Sequence, residues 1–124
     1  MAKNLKVLAV DDDLINLKLL KSMLMKTESV TEVIEARNGA DAINILKERN
    51  DIDIILLDII MPVMGGIEML KVVRSDDNLK QLPIIVLTTD ETKKNEALEA
   101  GANGFLMKPV RAADVTRKIS ELSL

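Results

Sequence analysis

Short apolar runs recur along the chain, and most of them end on a polar residue. Ile54-Ile55-Leu56-Leu57 runs straight into Asp58, and Ile84-Ile85-Val86-Leu87 into Thr88-Thr89-Asp90. Leu5 to Val10 is nearly all apolar and meets Asp11-Asp12-Asp13; Gly104-Phe105-Leu106-Met107 meets Lys108-Pro109. Unbroken aliphatic runs of this length suit strands buried on both faces, as in parallel sheets. A fifth, more polar segment, Val33-Ile34-Glu35-Ala36, reads as a short strand.

Between these runs the apolar period changes from continuous to helical. The pattern predicts helices over Leu14–Lys26, Ala40–Arg49, Ile67–Arg74, Glu91–Ala100 and Ala112–Leu122. The first helix carries apolar residues at helical spacing, Leu17, Leu20 and Leu24 with Ile15, Leu19 and Met23; inward positions of the later helices are Ile43 and Leu46; Ile67, Leu70 and Val73; Val115, Ile119 and Leu122. Asp13 and Asn38 are suited to cap the first two helices, and Gly101 to stop the fourth. Gly65-Gly66 closes the loop after the third strand, and the polar run Ser75–Gln81 is a loop.

Five βα units in succession predict an α/β fold with a parallel five-stranded sheet and helices on both faces. Right-handed crossovers restrict the topology, and the flavodoxin-like order 2-1-3-4-5 fits, with the most polar strand at an edge. The 124 residues (1–124) amount to a single domain, with 48% apolar residues for its core.

Composition removes several kinds of chemistry. There is no cysteine and no histidine, so disulfides, a histidine general base, a histidine metal ligand and a phosphohistidine on this chain are all excluded. Any metal site must be built from oxygens, which selects a hard ion such as Mg²⁺. The net charge of −3, with both signs spread along the chain, gives no basic footprint for nucleic acid. No signal-peptide region opens the sequence, and no apolar run approaches a membrane span. A cytoplasmic location without membrane insertion is expected.

All parallel strands end on one edge of the sheet. That edge collects Asp11, Asp12, Asp58, Thr88 and Lys108, although none of the strands is adjacent to all the others in sequence. Clustered carboxylates raise one another's pKa, and a divalent cation removes the penalty. Lys108 would bring a mobile point charge suited to a phosphoryl oxygen.

With Val10-Asp11-Asp12, Leu57-Asp58-Ile59-Ile60-Met61-Pro62, Met64-Gly65-Gly66, Val86-Leu87-Thr88, Ala100-Gly101-Ala102 and Lys108-Pro109 in this order, the whole chain resembles a response-regulator receiver domain of two-component signalling, CheY-like in size. The resemblance implies that Asp58 accepts a phosphoryl group from the phosphohistidine of a histidine kinase or phosphotransfer protein. It implies Mg²⁺ on Asp11, Asp12, Asp58 and the carbonyl of Ile60, and Lys108 and Thr88 on the phosphoryl oxygens. Phe105 would be the switch aromatic, and Lys108-Pro109 would be cis. The fourth helix, fifth strand and fifth helix, with Arg117 and Lys118, would form the face for a downstream target. No output domain is expected after the fifth helix within this sequence, so output would pass through a partner, or the receiver is a piece of a longer protein. Apart from its own phosphorylation and dephosphorylation at Asp58, no enzymatic activity is implied. The stretch from Thr88 to Lys108 is shorter than the family's pattern. Ile60, Thr89 and Arg111 replace the more usual polar, small and helix-capping residues.

Taken singly, these residues have plainer uses: carboxylates cap helices, hydroxyls and lysines end strands, and one phenylalanine fills a core. Their joint occurrence reverses that reading for Asp11, Asp12, Asp58, Thr88 and Lys108. Two other functions fit parts of the pattern. A haloacid-dehalogenase-type phosphatase would use Asp11 as nucleophile and Asp13 as acid. A pseudo-receiver would dock partners without ever being phosphorylated.

Overall fold

The computed structural model describes residues 4–122. Its strands are β1 (Leu5–Val10), β2 (Val30–Ala36), β3 (Ile54–Asp58), β4 (Ile84–Thr88) and β5 (Gly104–Met107). The helices between and after them are α1 (Leu14–Met25), α2 (Gly39–Glu48), α3 (Gly66–Ser75), α4 (Lys94–Glu99) and α5 (Ala112–Leu122). A single 3₁₀ turn over Glu91–Lys93 precedes α4. The sheet is parallel throughout, in the order β2-β1-β3-β4-β5. The fold class and the strand order are those expected from the sequence.

Every residue of β3 and β4 is buried, which explains their unbroken aliphatic character. Alternate side chains feed two separate cores. Leu8, Val10, Ile55, Leu57, Ile84 and Val86 pack under α2, α3 and α4. Val7, Ala9, Ile54, Leu56, Ile85 and Leu87 pack under α1 and α5, where Leu17, Leu20, Leu24, Val115 and Ile119 meet them.

The caps fall where the sequence places them. Asp13 Oδ1 accepts from the backbone N–H groups of Ile15 and Asn16, and Asn38 Oδ1 accepts from Asp41. Gly101, at φ +114°, closes α4: its N–H donates to Leu98 O and that of Ala102 to Ala97 O, the paired bonds of a Schellman motif.

Three boundaries differ from the pattern. β2 begins at Val30, because an edge strand with polar outer positions shows little alternation to read. Lys26 caps α1 rather than extending it. The fourth helix is one 3₁₀ turn and then only six α-helical residues, with Ala97 alone buried, so it has little apolar stripe to define it.

At the amino edge of the sheet Arg49 joins Glu32 through two hydrogen bonds and Asp51 through two more, and Lys6 completes the network on Asp51. Arg49 holds the carboxyls of Glu32 and Asp51 below their usual range. Among the described residues no helix is long and apolar enough to cross a membrane.

Candidate functional site

β1 and β3 are neighbours, with Val10 paired to Leu57, so the residues that follow Val10 come out beside Asp58. One carboxylate oxygen from each of Asp11, Asp12 and Asp58 lies within 4.8 Å of the other two. Asp11 and Asp58 are buried, whereas Asp12 faces solvent. Asp11 Oδ1 accepts from the backbone N–H of Asp13, which fixes its side chain.

Lys108 reaches this cluster from the end of β5, and its peptide bond to the following Pro109 is cis. Its Nζ lies 2.9 Å from Asp11 Oδ2 and 3.3 Å from Asp58 Oδ1. Asp11 is the nearer of the two, and the amine bridges both. Burial pushes the Asp58 carboxyl up from its ordinary value, against the opposing charge of Lys108, and the charges of Asp11 and Asp12 add to the rise. Burial acts to lower the Lys108 pKa, but the hydrogen bond to Asp11 and the charge of Asp58 outweigh it, and the net shift is upward. The mouth therefore holds a charged amine between two carboxylates, one of which ionises reluctantly.

The donor set is all oxygen, partly buried and open to water on the Asp12 side. It fits a hard divalent cation that keeps part of its hydration shell. Ile60 lies in the loop after β3 with its side chain 64% exposed, so its apolar side chain takes no part in the cluster.

Thr88 ends β4, one position past Leu87, which pairs with Asp58. It is buried, and its Oγ1 accepts from the backbone N–H of Asp90, while its carbonyl accepts from Lys108 N–H. Thr89 is exposed next to it. Phe105 is half-buried against the α2–α3–α4 core, and Lys94 Nζ sits 5.9 Å from its ring centroid. Asp13 caps α1 through its Oδ1, the local role its position suggests.

Two glycines shape the loop between Asp58 and α3. A Cβ on Gly66 would stand 2.5 Å from the carbonyl oxygen of Asp58 and 2.8 Å from Ile59 Cα, so α3 starts directly against the acceptor strand. Gly66 N–H donates to Ile59 O. The Gly65-Gly66 pair marks this loop in the sequence, but not the closeness of the approach.

The fold and this mouth define a flavodoxin-like domain with a lysine-bridged acidic site at the carboxyl edge of its sheet. Residues 7–120 match the family profile described as the response regulator receiver domain. Chemotaxis protein CheY-3 of Vibrio cholerae is 35% identical over 122 residues, covering 97% of this chain and 92% of that protein. The receiver domain of the sensor histidine kinase PA1611 of Pseudomonas aeruginosa, solved with a magnesium ion coordinated in its active-site cleft, is similar with a TM-score of 0.87 and 26% identity, covering 96% of this chain and 97% of that one. The receiver domain of the response regulator Ssk1 of Saccharomyces cerevisiae, solved with the histidine phosphotransfer protein Ypd1, gives a TM-score of 0.85 and 30% identity, covering 99% of this chain and 91% of that one. The chain belongs to the response regulator receiver domain family. It is a two-component signalling module rather than a conventional enzyme, and receiver domains pair with histidine kinases or phosphotransfer proteins.

Proposed function

We propose that Asp58 is the phosphoryl acceptor of this domain, in a chemotaxis-type or other two-component pathway. A carboxylate oxygen of Asp58 attacks the phosphorus of a partner's phosphohistidine; the P–N bond breaks and its electron pair returns to the imidazole nitrogen. Phosphoryl transfer needs in-line placement and neutralisation of charge spreading over the phosphoryl oxygens. Asp11, Asp12, Asp58 and the carbonyl of Ile60 would hold Mg²⁺, which supplies part of that positive field. Lys108 stays protonated and supplies the rest, moving from its carboxylates to a phosphoryl oxygen. Thr88 exchanges its bond to the Asp90 N–H for a phosphoryl oxygen, carrying the segment after β4 with it.

The observation that carries this reading is the meeting of three carboxylates within 4.8 Å under one buried-side amine. Without a cation or an incoming charge to neutralise, such a cluster is an unfavourable use of core-edge positions.

A phosphodonor would approach along α1. Leu14, Ile15 and Leu19 of that helix are exposed, and a cleft of about 320 Å³ opens beside Asp11 and Lys108, walled by Leu19, Met23, Leu87 and Val110. An apolar helix face beside an acceptor site suits a partner helix that carries the phosphohistidine. Output would leave by α4, β5 and α5, where Phe105, Lys94, Arg117 and Lys118 face a downstream protein. A cytoplasmic location, residues 1–124 acting as one receiver unit, and the absence of direct nucleic-acid binding belong to the same reading.

The test is intact-mass detection of phosphorylation with acetyl phosphate. One phosphoryl group per chain is expected with Mg²⁺, and none with EDTA or in Asp58→Asn. Undiminished labelling of Asp58→Asn would overturn the assignment.

A further inference from the structure

The loop between Asp58 and α3 contains a strained turn. Val63 has φ +67°, a region that β-branched residues rarely enter. Met64 N–H donates across it to Pro62 O at 2.7 Å, the i to i+2 bond of a γ-turn with positive φ, the rare and strained form. Val63 is 83% exposed, so its own side-chain packing does not hold it there. Such conformations persist only where the surroundings impose them.

The restraint comes from a different βα unit. Gly39, the first residue of α2, donates its N–H to Met64 O at 3.0 Å. A Cβ at Gly39 would lie 2.7 Å from Met64 Cγ and 2.8 Å from Met64 O. Gly39 does not have a positive φ, so the site calls for a glycine because of space, not backbone freedom. Met64 is thus tied on both sides of its peptide unit: its N–H to Pro62 across the γ-turn, its carbonyl to Gly39.

We propose that Gly39 is a positioning residue for the cation site: by letting α2 close onto Met64 it holds the strained turn at Val63, and with it the loop that presents Ile60 beside Asp58. This rests on the reading of Asp11, Asp12, Asp58 and Ile60 as the Mg²⁺ site. Groups outside a metal's own ligands, holding those ligands in place, commonly control affinity by about 10- to 100-fold. Linkage is reciprocal, so cation binding must in turn tighten the Gly39–Met64 contact.

Two measurements test this on the intact chain. In calorimetric titration with Mg²⁺, Gly39→Ala should bind about tenfold more weakly than wild type, while Gly104→Ala, whose Cβ meets only ordinary contacts, should keep wild-type affinity. A merely structural role for Gly39 would lower its melting temperature and leave its Mg²⁺ affinity unchanged, and that result overturns the proposal. In wild type, exchange of the Gly39 amide proton should slow when Mg²⁺ is added. An exchange rate that ignores bound Mg²⁺ also overturns it, whether or not the glycine variant folds. Absence of Mg²⁺ binding by wild type would overturn the metal site itself, and this proposal with it.

Discussion

Lys108 Nζ sits between two carboxylates at the ends of neighbouring strands, 2.9 Å from Asp11 Oδ2 and 3.3 Å from Asp58 Oδ1. The amine thus occupies electrostatic ground that a divalent cation would share. Lys108→Met should remove the competitor and the compensation together. Without divalent cations the variant should lose about 3 kcal/mol of stability, the usual result of stripping one partner from a largely buried pair. With millimolar Mg²⁺ much of that loss should return. Urea unfolding with EDTA and with Mg²⁺ checks this; equal losses in the two conditions would contradict it.

The raised Asp58 pKa fixes the sign of a pH effect. A carboxyl whose folded pKa lies above its unfolded value contributes stability that is complete below the ordinary value of 3.8 and is lost as pH rises through the folded pKa. In EDTA, wild type should therefore lose stability relative to Asp58→Asn as pH rises from about 4 toward neutrality. Asp58→Asn, neutral at every pH, should be the more stable protein at pH 7. A stability difference that stays flat across this range would show that Asp58 ionises without penalty.

Val63 carries strain that a different residue would not. Asn tolerates positive φ, so Val63→Asn should raise stability by about 1 kcal/mol, seen as a higher urea midpoint at unchanged slope. An unchanged or lower midpoint would mean the turn is not strained.

Arg74 ties three segments together near the end of α3. Its guanidinium donates to the carbonyls of Lys80, Leu82 and Gly101 and to Asn103 Oδ1, which in turn accepts from Ile84 N–H. Burial lowers its pKa. Arg74→Met should cost about 2 kcal/mol, because it leaves several part-buried carbonyls unpaired. Faster hydrogen exchange should concentrate at residues 101–104. Loss spread evenly over the sheet would argue against a local tie.

Much of this was legible in the chain, for physical reasons. β3 and β4 are buried on both faces, so burial wrote itself as four aliphatics in a row. Asp13, Asn38 and Gly101 announced helix ends because caps are local chemistry. The meeting of Asp11, Asp12, Asp58 and Lys108 followed from strand direction alone. What the sequence hid depends on contacts between distant units. Nothing local marks Gly39 against Met64, the five-donor role of Arg74, or Asp11 as the nearer partner of Lys108. Nor does helical spacing on α1 reveal that Leu17, Leu20 and Leu24 go inward while Ile15 and Leu19 stay exposed. α4 was overdrawn because its segment is polar and its first turn is 3₁₀.

The most direct test of the central claim is to locate the phosphoryl group. After reaction with acetyl phosphate and Mg²⁺, borohydride reduction converts an acyl phosphate to the alcohol, and peptide mass spectrometry finds the modified residue. Reduction at residue 58 alone, dependent on Mg²⁺ and much reduced in Lys108→Met, is the predicted result. Reduction at Asp11, or at Asp58 without any need for a divalent cation, would contradict the account.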